Sequence, residues 1–132
     1  MNILTLLVLF CFSAVALGIS SKKLSQGKSK DLAKWQITQS STLMAICLCF
    51  ILVAYMNRIG PMVISDNIRP IFVISFILIF FLMILLTIFQ IPWNIIGATK
   101  VKDAEDKTLE GISITSIVIG LLFSIWVLYL IF

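Results

Sequence analysis

Three cysteines, a scatter of hydroxyl and amide side chains and no histidine make up the chemistry that this chain carries within its apolar blocks. Cys47 and Cys49 stand two residues apart, about 200° round a helix, so they point to opposite sides and do not share a metal ion. Cys11 lies in a different block, and in such surroundings a thiol behaves as a small hydrophobe. Without histidine there is no imidazole base for a serine or cysteine nucleophile, and a paired serine and lysine would need a lysine within a span, where there is none. The acids between Lys100 and Glu110 lack the alternating spacing and central glycine of a calcium loop. The expectation is therefore no catalytic residue, no cofactor-binding residue, no metal ligand and no enzyme activity.

The polar and small residues that do enter the apolar blocks have a pattern. The second block opens with Gln36, Thr38, Gln39, Ser40, Ser41 and Thr42, and Trp35, Thr38, Gln39 and Thr42 share one side at helical spacing. In the last block Ser113, Ser116, Gly120 and Ser124 fall on one narrow helical face. Gly120 and Ser124 form the small-xxx-small pair that lets two membrane helices approach closely. The first block offers Ser13, Ala14, Ala16 and Gly18. Such groups either bond a neighbouring helix or line a path for a polar solute. Packing is the expected role, carried by Ser13, Ala14, Gly18, Ser113, Ser116, Gly120 and Ser124. A carrier driven by ions or protons usually needs an ionisable group at mid-membrane, and here each Lys, Arg, Asp and Glu lies in a connector or at a span edge.

The elements that must position these residues belong in lipid. Hydrophobic residues make up 61% of the chain and charged ones only 12%, against about a quarter in globular proteins, and the apolar residues come in blocks. The stretch from Pro70 to Ile91, PIFVISFILIFFLMILLTIFQI, has no charge and no polar stripe, and as a helix it reaches roughly 33 Å, enough to cross a bilayer core. The expected architecture is all-α: a polytopic membrane protein with four transmembrane helices in a small bundle. It forms a single membrane domain over residues 1–132, with spans at about 2–20, 35–56, 70–91 and 111–132 and connectors at 21–34, 57–69 and 92–110.

Local signals refine the boundaries. Ala14-Val15-Ala16 looks like a signal-peptidase site, yet the basic leading region is missing, so the first block is expected to be retained as a span. Cleavage would leave three spans and a cytosolic mature N-terminus. Gly60-Pro61 predicts a turn, Asp66 or Asn67 is placed to cap the third span, and Pro70 suits its first turn. Pro92 is expected to kink or end that span near the interface, where Trp93 anchors. The third span holds almost no small residues, and its Ile, Leu and Phe are expected to face lipid or fill gaps round the bundle. Lys102 with Asp106 and Asp103 with Lys107 are i,i+4 pairs that predict a short surface helix leading into the last span.

Charge placement points to partners and to sidedness. The net charge of +4 is concentrated beside spans, which favours a membrane surface over nucleic acid. The first connector sets Lys22, Lys23, Lys28, Lys30 and Lys34 against a single acid, Asp31, and these lysines are the candidates for contact with anionic lipid headgroups or an acidic partner. With Lys100, Lys102 and Lys107 in the third connector and only Arg58 and Arg69 in the second, the positive-inside rule places connectors 21–34 and 92–110 in the cytoplasm and both termini opposite.

The expected partners are the lipid bilayer and other membrane protein subunits, with no nucleic acid. The expected function is a non-catalytic structural or assembly subunit of a larger membrane complex. Both a cellular complex and the internal membrane of a large DNA virus particle fit this reading. A small transporter or oligomeric channel using the polar faces of the second and fourth spans is the alternative.

Overall fold

The computed structural model describes residues 3–27, 30–63, 68–102 and 106–131. It is all-helical: α1 spans Ile3–Ser25, α2 Lys30–Val63, α3 Arg69–Val101 and α4 Lys107–Ile131. Each helix is long and apolar enough to cross a membrane. Consecutive helices pack side by side, α2 and α4 also meet across the centre, and α4 touches α1. Among the described residues α1 and α3 lie opposite one another without contact.

The helices run past the apolar blocks that predict them. Ten of the residues expected in the first connector, among them Lys22, Lys23, Lys30 and Lys34, belong to helices. The end of α1 is followed by Gly27 at φ +75°, whose N–H donates to the Leu24 carbonyl at 3.0 Å. That left-handed conformation is the ordinary way to stop a helix, and only glycine adopts it without a Cβ penalty. The turn expected at Gly60-Pro61 is absent, because α2 continues to Val63. Asp66 and Asn67 lie outside the described residues. The position before α3 is Ile68, without a side-chain cap, and Pro70 occupies the first turn as expected.

Pro92 does not end α3. The helix carries it internally and reaches Val101. Proline keeps a helical φ and forfeits only its own N–H, here the donor for the Ile88 carbonyl, a loss that helices in apolar bundles tolerate when neighbours hold them in place. Asp106, expected within a short surface helix, instead precedes α4 and caps it. Asp106 Oδ1 accepts the backbone N–H groups of Thr108 at 2.9 Å and Leu109 at 3.1 Å. Its other oxygen pairs with Lys23 at 2.9 Å rather than with Lys102, tying the end of α1 to the start of α4. Asp103 lies outside the described residues.

The interior is layered. At the lysine-rich end an apolar cluster of Leu32, Ala33, Trp35, Val101 and Leu109 closes the bundle. Towards the other end Leu6, Leu43, Ile46, Cys47, Phe123 and Val127 form a second cluster. Between them the buried positions are polar, and that layer holds the candidate site.

Candidate functional site: a polar layer between two apolar clusters

Helical periodicity builds the layer. On α2, Gln36, Gln39 and Ser40 follow Trp35 and precede Leu43 on the buried side. On α3, Thr87, Gln90, Asn94 and Gly97 recur at alternating steps of three and four. On α4, Ser113, Ser116, Gly120 and Ser124 recur at steps of three, four and four. Gln36, Gln39, Thr87, Gln90, Asn94, Ser113, Ser116 and Ser124 are all fully buried, and Ser13 and Ser20 of α1 are closed off as well.

Hydrogen bonds join three helices here. Gln36 uses both protons of its amide, one to Ser40 Oγ at 3.0 Å and one to Ser116 Oγ at 2.8 Å, so it links α2 to α4. Gln39 Nε2 donates to Gln90 Oε1 at 2.8 Å, linking α2 to α3. Asn94 Nδ2 donates to the same Oε1 at 3.2 Å and to the Gln90 carbonyl at 2.7 Å. Gly120 is the floor beneath this triad: a Cβ there would stand 2.7 Å from Gln39 Nε2, 2.8 Å from Asn94 Nδ2 and 3.0 Å from Gln90 Oε1. Only a glycine lets α4 come so close.

The layer is electrically neutral. Its amide oxygens Gln36 Oε1, Gln39 Oε1 and Asn94 Oδ1, the amide nitrogen Gln90 Nε2 and the hydroxyls of Ser113 and Ser124 have no hydrogen-bond partner among the described residues. Acceptors outnumber donors among these groups. The arrangement therefore suits hydrogen bonding to a neutral or cationic donor, and it contains no acid, base or nucleophile of shifted reactivity. Among the described residues no group of His, Cys, Asp and Glu could hold a metal ion.

One turn towards the lysine-rich end, Trp35 fastens α2 to α3. Its indole N–H donates to the Trp93 carbonyl at 2.8 Å, and its ring stacks on Trp93 with centroids 6.3 Å apart. Gly97 lies against the same ring, so that a Cβ there would overlap it. At the cap of α4, the hydrogen bond from Lys23, followed by the Leu109 N–H, holds the Asp106 carboxyl below its ordinary value.

The residues expected to pack helices divide. Ser13, Ser113, Ser116, Gly120 and Ser124 are buried. Ala14 and Gly18 are instead exposed, and a Cβ at Gly18 would meet nothing within 4 Å, so neither lies on the buried face of α1. Ala16, one turn from Ser13 and Ser20, takes the inward place. Of the headgroup candidates, Lys22, Lys30 and Lys34 are exposed, Lys23 is committed to Asp106, and Lys28 lies outside the described residues. Thr38 faces outward, its hydroxyl turned back to the Lys34 carbonyl at 3.3 Å, and Gln36 and Ser40 occupy the interior in its place. Gln90 and Asn94 are the members that sequence reasoning missed. Their signal was the Thr87, Gln90, Asn94, Gly97 spacing, hidden by taking Pro92 as the end of the span.

Comparison with protein-family models, with curated proteins and with solved structures finds no match to this chain.

Proposed function

We propose that this chain is a non-catalytic, multi-pass integral membrane protein serving as a structural or assembly subunit of a larger membrane complex, either in a cellular membrane or in the internal membrane of a large DNA virus particle. The asymmetry of α3 carries this reading. Its buried residues begin at Met83, whereas Ile71, Val73, Ile74, Ile77 and Leu78 in the preceding turns are exposed. The first half of an apolar helix of 33 residues thus has no fully buried residue and offers a continuous exposed surface to lipid or to a neighbouring subunit. The polar layer is consistent with the same role, since buried hydrogen bonds hold helices in one register in a medium where hydrophobic burial does not discriminate between registers.

With the lysine-rich ends of all four helices together, the α1–α2 and α3–α4 connections face the cytoplasm in this proposal and the termini lie on the other side. Isolation of the tagged protein in mild detergent, with mass spectrometry of what accompanies it, tests the role. Stoichiometric membrane subunits are expected. Recovery of the chain alone as a defined ring that carries ions into liposomes overturns the proposal and favours the second reading, a small transporter or oligomeric channel. That second reading draws its support from the unpaired amide oxygens of Gln36, Gln39 and Asn94 inside the bundle.

A further inference from the structure

We propose that the cleft between α2 and α3 at the lysine-rich end binds the phosphodiester headgroup of an anionic membrane lipid. A cavity of about 180 Å³ opens there, lined by Asp31, Lys34, Trp35, Thr38, Trp93 and Lys100. The four residues of α2 recur at i, i+3, i+4 and i+7, and the two of α3 are two turns apart, so each helix turns a single face to the cleft.

The lining matches such a ligand in charge and in shape. Two ammonium groups and one carboxylate sum to a single positive charge, the complement of a phosphodiester monoanion rather than of a doubly charged phosphate monoester. Neither Lys34 nor Lys100 has an ion-pair partner among the described residues. Trp93 lies in the same wall, its indole N–H buried without a hydrogen-bond partner among the described residues, while that of Trp35 is used by the Trp93 carbonyl. Tryptophans at this level are what a bilayer interface favours.

A free phosphate ion would leave the rest of the surface unused. The stacked rings of Trp35 and Trp93 continue one turn deeper to Phe89, whose ring lies 5.4 Å from Trp93 and which is exposed. This aromatic ladder runs from the charged cavity towards the apolar middle of the bundle, the direction an acyl chain takes below its headgroup. Asp31 at the outer rim is placed to accept from a hydroxyl of the headgroup alcohol. The proposal rests on the membrane location of the chain and is independent of any subunit role.

The test uses the full chain in mild detergent, with tryptophan fluorescence followed during titration by dioctanoyl phosphatidylglycerol, dioctanoyl phosphatidylcholine and inorganic phosphate. A saturable response to phosphatidylglycerol is expected, weakened about tenfold or more by K34Q/K100Q and retained by K34R/K100R. The control K22Q/K30Q removes the same charge from the same end and should leave binding intact. Helix content by circular dichroism accompanies each variant, and the single substitutions read the same effect should the pair fail to fold. Equal weakening by K22Q/K30Q overturns the site in favour of diffuse attraction, equal binding of inorganic phosphate overturns the lipid, and equal binding of phosphatidylcholine overturns its charge.

Discussion

Gly97 of α3 lies against the indole ring of Trp35 of α2, so close that no side chain fits between them. The contact explains how α3 passes through Pro92 without ending. Trp35 grips the helix just past that point, hydrogen-bonding the Trp93 carbonyl and covering Gly97 one turn later. Helix continuity, the aromatic stack and the approach of Asn94 to Gln39 and Gly120 all depend on this junction.

Gly97→Ala is therefore expected to displace Trp35 and destabilise the bundle by about 3 kcal/mol, the sum of overpacking and a lost hydrogen bond. Gly18→Ala, where a Cβ meets nothing, should instead be neutral or stabilising by up to about 1 kcal/mol through helix propensity. Unfolding in mixed micelles, followed by tryptophan fluorescence, ranks the two. Equal effects would show that Trp35 does not rest on Gly97.

The bond from Gln39 to Gln90 should appear as a coupling. Gln90→Leu strands the Gln39 and Asn94 amides and is expected to cost about 1 to 3 kcal/mol, with Gln39→Leu in the same range. The double substitution removes both partners and should cost less than the sum, by about 0.6 kcal/mol, the average for bonds between membrane helices, and at most about 1.7 kcal/mol. Additive costs in a double-mutant cycle would mean that the two amides do not meet.

Pro92→Ala should leave helix content by circular dichroism unchanged, because α3 is already helical on both sides of this position. Restoring an N–H for the Ile88 carbonyl should make the variant at least as stable as the parent. A clear gain in helicity would show that α3 stops at Pro92 in the parent chain.

The contact between Lys23 and Asp106 sets a dependence on acid. Because the Lys23 hydrogen bond lowers the carboxyl in the folded chain, its stabilisation is complete above the ordinary aspartate value of about 4 and declines as the pH falls through the lowered value. Asp106→Asn keeps a residue able to cap α4 and removes the ion pair, so it should flatten the acid limb of a stability profile. Asp106→Ala should in addition weaken the start of α4 at every pH. An unchanged acid limb in Asp106→Asn would remove this carboxyl as its cause.

Several features of the fold were legible in the residues. The apolar blocks marked four helices because a chain that lacks polar groups over a bilayer's thickness has few alternatives. The serine and glycine spacing of α4 marked its inward face, since helical periodicity alone puts Ser113, Ser116, Gly120 and Ser124 together. The misreadings cluster at prolines and in α1. Gly60-Pro61 predicts a turn and Pro92 a kink or an end, whereas both prolines lie inside helices, since proline fits the helical φ and costs the helix a hydrogen bond rather than its course. In α1 the small residues cover more than one side, so their sizes could not show that Ala16 turns inward while Ala14 and Gly18 turn out.

By itself the amino-acid order determined that the chain is helical, that its helices suit a hydrocarbon surrounding, and that its charges gather at one end, because these follow from composition and period within each segment. Only the tertiary structure decided which polar groups meet. Gln39 reaches Gln90, Gln36 reaches Ser116 and Lys23 reaches Asp106 across separations that no local periodicity encodes. These pairings depend on how far each helix slides and turns against the next, and that is settled by close approaches such as Gly97 on Trp35 and Gly120 on the amide triad.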